Sequence, residues 1–153
     1  MARFDLAIEK TLKWEGGYSN DPADAGGETN WGISKRSYPD LDIKSLTRDE
    51  AIAIYLRDYW RYGDIIDQPL SEKIFDMAVN LGPLQTHRLL QRTLGLPADG
   101  IFGPQTLAKV NACDPDALLL ELRAITAEFY ARLVLRNPSQ ERFLRGWMRR
   151  SVA

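Results

Sequence analysis

Helix start and stop signals recur along most of this chain and divide it into short helical segments. Thr47 and Glu50 form a capping box ahead of an amphipathic run. Proline follows glycine, aspartate or asparagine at three further boundaries, Gly82-Pro83, Asp114-Pro115 and Asn137-Pro138. No stretch shows the sustained apolar-polar alternation typical of strands. The sequence therefore predicts a mostly α fold with about seven helices, and a small β-hairpin near residues 28–34 is compatible with it.

Glu15 is the last residue on the inward-facing side of the predicted first helix. Phe4, Ile8, Thr11 and Glu15 follow helical spacing, and we expect Gly16-Gly17 to end the helix directly after Glu15. An apolar setting beside a helix would favour the protonated form of such a carboxyl group. Glu15 is therefore a candidate proton donor.

Length and composition limit the classes of protein open to this chain. With 153 residues, the chain is long enough for one domain or two tightly packed subdomains. Its single cysteine, Cys113, excludes an internal disulfide, and its single histidine, His87, makes a Cys/His metal site improbable. We expect His87 at the surface or at a helix cap, and we predict a helix N-cap at Ser71. No metal or cofactor is expected.

Charge is distributed unevenly along the chain. Residues 121–153 carry seven Arg and three Glu, although the whole chain has a net charge of −1. This basic segment could meet an anionic wall polymer, or it could be a solvated helix face. The first interpretation predicts that substitution of Arg145, Arg149 and Arg150 by glutamine weakens wall adhesion. No nucleic-acid partner is expected.

Four carboxylates lie within 14 residues and are joined by a segment dense in glycine and turn residues: Glu15, Asp21, Asp24 and Glu28. Hydrolysis of a glycosidic bond needs one protonated and one ionised carboxyl group, which a pair of apolar and polar settings can supply. The same composition is also found in plain turns and in calcium-binding loops. Nucleophilic triads and phosphate-binding loops are poorly supported, because their residue patterns are missing.

Three motifs carry a family resemblance. "WEGGYSNDPADAGGETNWGIS" at 14–34, "YLRDYW" at 55–60 and "FDMAVNLGP" at 75–83 resemble the glycoside hydrolase family 108 N-acetylmuramidases, which include phage endolysins and secretion-associated muramidases. The later segment, with "LGLPADGIFGPQTLAKV", is similar to the peptidoglycan-binding region that accompanies them. The resemblance implies a lysozyme-like helical fold with a catalytic region at 1–87 and a wall-binding region at 88–151, packed as one globular unit.

The resemblance also implies a reaction and its catalytic residues. The enzyme would cleave the β-1,4 bond between N-acetylmuramic acid and N-acetylglucosamine, with Glu15 as the general acid. By analogy with phage-type lysozymes, Asp24 would stabilise the developing positive charge or hold a water, which Thr29 would position. Asp21 is the reserve candidate for the second carboxylate. A reaction run by Glu15 with one ordered water and no second essential carboxylate also stays open.

Sugar binding calls for flat apolar faces and amide-type hydrogen-bond partners. The candidates of this kind are Tyr18, Asn20, Asp21, Trp31, Tyr59, Trp60, Asp76 and Asn80. Trp60 could instead belong to the core, and Asp76 and Asn80, spaced i and i+4, could serve only as hydrogen-bond ties.

Two other functions remain open from the sequence: a lytic transglycosylase using one glutamate, and a non-catalytic wall-binding protein. The N-terminus lacks an apolar segment of signal-peptide length, and no stretch is long and apolar enough to span a membrane. We therefore expect synthesis in the cytoplasm and action on the cell wall after release through a holin or a secretion partner. We expect the protein to be a monomer whose partner is the glycan strand of peptidoglycan.

Overall fold

Helices dominate the computed structural model, which describes residues 1–20 and 27–153. Its seven α-helices, counted over those residues, are α1 (Phe4–Leu12), α2 (Arg48–Asp58), α3 (Gln68–Leu81), α4 (Pro83–Thr93), α5 (Pro104–Ala112), α6 (Pro115–Arg136) and α7 (Glu141–Val152), with a 3₁₀ turn at Pro138–Gln140. The strands are β1 (Ser19–Asn20), β2 (Glu28–Asn30) and β3 (Ile33–Ser34), which pair antiparallel in that order. The mostly α prediction and the hairpin near 28–34 are confirmed. Within the described ranges, no helix combines the length and apolarity needed to cross a bilayer.

The chain forms two compact units. One unit is Phe4–Trp60, and the other combines Met1–Arg3 with Arg61–Ala153. In the second unit, the backbone N–H of Ala2 donates to the carbonyl of Gly63 at 2.8 Å, which joins the first residues to the later part of the chain. The functional division of the chain at residue 87 stays a prediction.

The unit of residues 4–60 is closed by an aromatic contact between its two ends. The rings of Phe4 and Trp60 meet edge to face with their centroids 5.4 Å apart. This contact favours a packing role for Trp60, the alternative to sugar binding, since edge-to-face pairs stabilise a core beyond their buried area. Sugar binding by Trp60 stays a prediction.

The first helix ends earlier than the glycine pair predicts. Helix α1 stops at Leu12, and two tighter i→i−3 bonds, from the N–H groups of Lys13 and Trp14, carry the chain one step further. Ile8 and Thr11 are buried, as the stripe predicts, whereas Glu15 is half-buried in the bend beyond the helix. Glu15 is therefore held by the loop rather than by helical backbone.

Of the two helix-cap predictions, one is confirmed and one is wrong. Thr47 and Glu50 form the predicted reciprocal box, in which the Thr47 N–H donates to the Glu50 carboxylate at 2.8 Å. Ser71 is not a cap: helix α3 begins one turn earlier, with Asp67 capping the N–H of Leu70 at 2.8 Å. Ser71 is fully buried, and its hydroxyl donates to the carbonyl of Tyr62. The Ser71 hydroxyl therefore makes a tertiary hydrogen bond and does not cap a helix.

The C-terminal helix α7 is anchored by buried charges on α3. Lys73 donates from Nζ to the carbonyls of Arg150 and Ser151 at 3.2 and 2.6 Å, which satisfies carbonyl groups in the last turn of α7. Burial lowers the pKa of Lys73 to about 8. Asp76 accepts two hydrogen bonds from Arg150 at 2.9 and 3.0 Å.

The basic surface of α7 is smaller than the sequence predicts. Arg150 is only 8% exposed and is committed to Asp76, so it does not belong to the solvent-facing charge. Arg142, Arg145 and Arg149 are exposed on the same helix. A wall-adhesion test at Arg150 would therefore disturb the fold instead of probing adhesion, because breaking a buried ion pair leaves a charge uncompensated.

His87 is buried, contrary to the prediction of a surface or capping position. Its side chain bridges the Tyr62 hydroxyl, 2.9 Å from Nε2, and the Gly100 carbonyl, 3.0 Å from Nδ1. Since a carbonyl oxygen only accepts, Nδ1 carries a proton, and in the neutral imidazole Nε2 accepts from the Tyr62 hydroxyl. Both ring nitrogens are therefore hydrogen-bonded.

We expect the His87 imidazole to titrate below its ordinary range, because burial lowers its pKa. Between that value and the unfolded pKa of about 6.5, the unfolded chain binds the proton and the folded chain does not. The free energy of unfolding should therefore fall as the pH falls through this window. The ring signals of the only histidine in the chain can be followed by NMR over a pH series, with the same protein in urea as the control. A folded pKa equal to that in urea would contradict the prediction.

Candidate active site

A tight hairpin turn lies at the centre of the candidate site. Strands β2 and β3 pair Asn30 with Ile33, so only Trp31 and Gly32 form the turn. Both have positive φ, 52° for Trp31 and 78° for Gly32, as the twist-matched two-residue hairpin turn requires. This backbone is unfavourable for a tryptophan, and the Tyr55 hydroxyl holds it by donating to the Trp31 carbonyl at 3.0 Å.

The carboxyl group of Glu15 packs against the backbone of this turn. A Cβ atom added to Gly32 would lie 2.6 Å from Oε2 of Glu15 and 2.8 Å from its Cδ, and closer still to the Tyr55 hydroxyl. Such separations are below van der Waals contact, so a side chain at this position would force Glu15 or Tyr55 to shift. The absence of a side chain at Gly32 is what allows the carboxyl group and the phenol to approach the turn.

The side chain of Asn30 ties the hairpin to the rest of its unit. The buried amide of Asn30 donates from Nδ2 to the carbonyls of Ile43 and Leu46 at 3.1 and 3.2 Å. Two backbone acceptors in a loop are thus tied to the hairpin by one side chain, which satisfies groups that would be costly to bury unpaired. The surface against which Glu15 packs is therefore held by a structural hydrogen-bond network.

Two of the predicted sugar-binding residues lie at strand β1, Asn20 on the strand and Tyr18 directly before it. Tyr18 is 45% exposed, and its hydroxyl donates to Glu28 Oε1 at 2.9 Å. That hydrogen bond to a carboxylate raises the pKa of Tyr18. Asn20 is exposed and pairs with Glu28 across β1 and β2, so these side chains share one face of the sheet. Glu28, a loop carboxylate to which the sequence assigns no role, is thus a neighbour of Tyr18.

Thr29 lies on the opposite face of β2 from Glu28. It pairs with Ser19 on β1 and with Ser34 on β3 and is half-buried. The two aspartates predicted to act with Glu15, Asp21 and Asp24, lie outside the described residues. Their contribution to the site stays a prediction.

Two tyrosines at the C-terminal end of helix α2 lie near Glu15. Tyr55 and Tyr59 are spaced i and i+4, and their ring centroids are 5.5 Å apart. Burial raises the pKa of Tyr59, and the negative charges of Asp58 and Glu15 act in the same direction. Tyr59 therefore lies within electrostatic range of Glu15. Tyr55 is not among the site residues predicted from the sequence, although its spacing from Tyr59 in "YLRDYW" is the signal that could have found it.

Two predicted binding residues belong to the other unit and have structural contacts there. Asp76 is bound to Arg150, and the side chains of this pair are 15% and 9% exposed, respectively. Asn80 donates its amide to the hydroxyl of Tyr130, whose ring stacks on Trp147 at 5.0 Å. These contacts match the hydrogen-bond ties that are the alternative role of both residues. Sugar binding by Asp76 and Asn80 stays a prediction.

Comparison with known proteins identifies two families along the chain. Residues 8–82 match the model of glycosyl hydrolase 108, and residues 85–152 match that of a predicted peptidoglycan domain. No curated protein matches the sequence. Among solved structures, SagA of Brucella abortus is similar, with a TM-score of 0.81 and 29% sequence identity over 97% of this chain and 88% of that one.

Proposed function

We propose, from the membership of residues 8–82 in the glycosyl hydrolase 108 family and of residues 85–152 in the predicted peptidoglycan domain family, that this protein is an N-acetylmuramidase. Membership in these families makes the chain a glycoside hydrolase that acts on peptidoglycan. The bond cleaved is, in our proposal, the β-1,4 linkage from N-acetylmuramic acid to N-acetylglucosamine. Glu15 is the proposed general acid.

The seating of the Glu15 carboxyl group against the hairpin turn carries this proposal. The carboxyl group packs on Gly32, beside the hydroxyl of the buried Tyr55, and a side chain in place of Gly32 would displace one of these two groups. A carboxyl group held in this way has a defined orientation before substrate arrives, and a positioned acid is more effective than a mobile one. The carboxyl group of an ordinary surface glutamate has no need of a glycine beneath it.

The proposed chemistry places a proton on the leaving oxygen. Glu15 donates its proton to the glycosidic oxygen as the bond from the muramic acid C1 breaks. A water oxygen then bonds to C1, and a carboxylate, either the deprotonated Glu15 or Asp24, takes up the proton that this water loses. Asp24 would stabilise the positive charge on the sugar ring or hold that water, with Thr29 positioning it. Asp21 is the reserve for the role of Asp24.

The exposed groups around the turn supply the proposed sugar contacts. The phenol of Tyr18 bonds to Glu28, the strand partner of Asn20; Tyr18 and Asn20 are exposed, and Trp31 is half-buried in the turn itself. Tyr59 offers an aromatic edge near Glu15. An exposed aromatic face flanked by amide and carboxylate groups suits an N-acetylated sugar, which has an apolar face and polar substituents.

The products of digestion test the proposal directly. We expect mass spectrometry of purified peptidoglycan treated with the protein to show fragments ending in reducing N-acetylmuramic acid. Anhydro-muramic ends would instead identify a lytic transglycosylase, and intact glycan with protein bound to it would identify a non-catalytic binder. Reducing N-acetylglucosamine ends would contradict the assigned bond.

The biological role that follows is local opening or lysis of the bacterial cell wall. We propose that the protein is made in the cytoplasm and reaches the wall through a holin or a secretion partner, as endolysins and secretion-associated muramidases do. Lysis of cells only when a pore-forming protein is co-expressed would support this route. Equal lysis without such a partner would contradict it.

A further inference from the structure

A groove between helices α4 and α6 has no role in the proposed chemistry. It lies within the unit of residues 61–153 and encloses about 430 Å³. Leu89, Ile125 and Phe129 form an apolar floor: Leu89 is buried and the other two are half-buried. Its size is that of a site for a small ligand or a short peptide, and charged side chains surround the apolar floor.

Three arginines surround this floor. Arg92 lies on α4, Arg132 and Arg136 lie on α6, and all three are exposed. One acidic residue, Glu128, also lines the groove, and its carboxylate is 3.6 Å from Arg132. An exposed pair at that distance contributes little and is easily exchanged for another partner. The lining thus carries a net positive charge that an anionic ligand would complement.

The chemistry of the lining favours a carboxylate-bearing peptide over a sugar. Guanidinium groups bind carboxylates through paired, charge-assisted hydrogen bonds. Sugars are bound by flat aromatic faces with amide and hydroxyl partners, whereas this groove has one aromatic ring, Phe129, and one amide, Gln85, among its described lining residues. Aliphatic side chains of a short peptide would fit against Leu89 and Ile125.

We propose that the groove between α4 and α6 binds the peptide stem of peptidoglycan, with its carboxylates on Arg92, Arg132 and Arg136. The stem is a short peptide with small aliphatic side chains and free carboxylates, which are the features that the floor and the rim complement. The proposal rests on the proposed function only in taking peptidoglycan as the ligand. It does not depend on Glu15 or on bond cleavage. Residues 85–152 would thereby recognise the part of the wall that hydrolysis leaves intact.

Binding of an isolated stem separates this proposal from catalysis. The probe is the free stem tetrapeptide released from peptidoglycan, and affinity is measured by calorimetry at low and moderate salt. We expect the combined variant Arg92→Gln, Arg132→Gln and Arg136→Gln to bind the tetrapeptide at least ten-fold more weakly than the wild type. Blocking the carboxylates of the peptide as amides should weaken wild-type binding to a similar extent.

A second triple variant controls for net charge. Arg142→Gln, Arg145→Gln and Arg149→Gln removes the same three charges from the exposed surface of α7 and should leave tetrapeptide affinity within two-fold of the wild type. An equal loss in both triple variants would show non-specific attraction and would overturn the proposal. So would undetectable binding of the tetrapeptide by the wild type.

The glycan itself provides the last comparison. Cleavage of glycan strands stripped of their peptides should proceed equally in the wild type and in the groove variant, because the groove does not contact sugar in this proposal. A groove variant that loses binding to stripped glycan as strongly as to the tetrapeptide would assign the groove to sugar and overturn the proposal. If no protein cleaves the glycan but the tetrapeptide still binds through the arginines, the muramidase proposal fails and the groove proposal stands.

Discussion

Replacement of Glu15 by glutamine is expected to lower kcat on peptidoglycan by about 10²- to 10⁴-fold, the range that a general acid contributes. Glutamine has nearly the same shape as glutamate, so the packing against Gly32 and Tyr55 should persist while the transferable proton is lost. The change should fall on kcat more than on KM, because the lost interaction acts in the transition state. Release of reducing ends from purified peptidoglycan measures it.

The matched control for this variant is a second glutamate, Glu9 of helix α1. Glu9→Gln removes an exposed ion pair with Arg48, and such pairs contribute little to stability. Glu9→Gln should therefore keep wild-type kcat. Circular dichroism and thermal unfolding of both variants establish that each is folded. A Glu15→Gln protein that is folded and fully active would remove Glu15 from the mechanism.

Substitution of Gly32 by alanine is the second change with a large expected effect. The φ of 78° is unfavourable for any side chain, at a cost of about 1–2 kcal/mol. The added methyl group would also overlap Glu15 and the Tyr55 hydroxyl, so the carboxyl group must move. Because a displacement of about 1 Å can cost about 10²-fold in rate, we expect at least that loss of activity.

Gly95→Ala separates backbone strain from displacement of the carboxyl group. Gly95 has a φ of 69°, and a methyl group added there would meet no atom of the described residues within 4 Å apart from its chain neighbours. This variant should therefore show the loss of stability that the left-handed backbone causes and retain activity. Urea unfolding and hydrolysis assays on both variants give the comparison. Equal activity of Gly32→Ala and Gly95→Ala would contradict the close packing of Glu15.

Helix boundaries made by proline were predictable because proline acts on its own backbone. Pro83 and Pro115 each begin a helix at a boundary that the sequence predicts. Ser71 illustrates the limit, since a serine ahead of an apolar run suits either a cap or an interior position. The carbonyl of Tyr62, to which its hydroxyl donates, decided between them. Helix-capping rules consider only neighbouring residues and therefore cannot identify this hydrogen-bond partner outside the helix.

The candidate site likewise combines features that the local sequence determines with features that depend on residues far along the chain. The hairpin and the importance of Gly32 as backbone follow from the local motif, whereas the contact of Tyr55 with Trp31 joins residues 24 positions apart. The burial of His87 likewise depends on Tyr62, 25 positions away. Distant partners of this kind determine which polar residues are buried, and the spacing of residues along one helix does not reveal them.

The contact of Phe4 with Trp60 has a consequence for how the chain is organised. Because this ring contact brings together the two ends of a compact unit of residues 4–60, that unit leaves and rejoins the chain at adjoining points. Closing a flexible segment of this length costs only ~3–4 kcal/mol beyond a constant, since the cost grows with the logarithm of length. Insertions and deletions inside the segment therefore change the closure cost very little. The unit therefore has the topology of an insertion, whose internal loops can change in length while its two attachment points stay fixed.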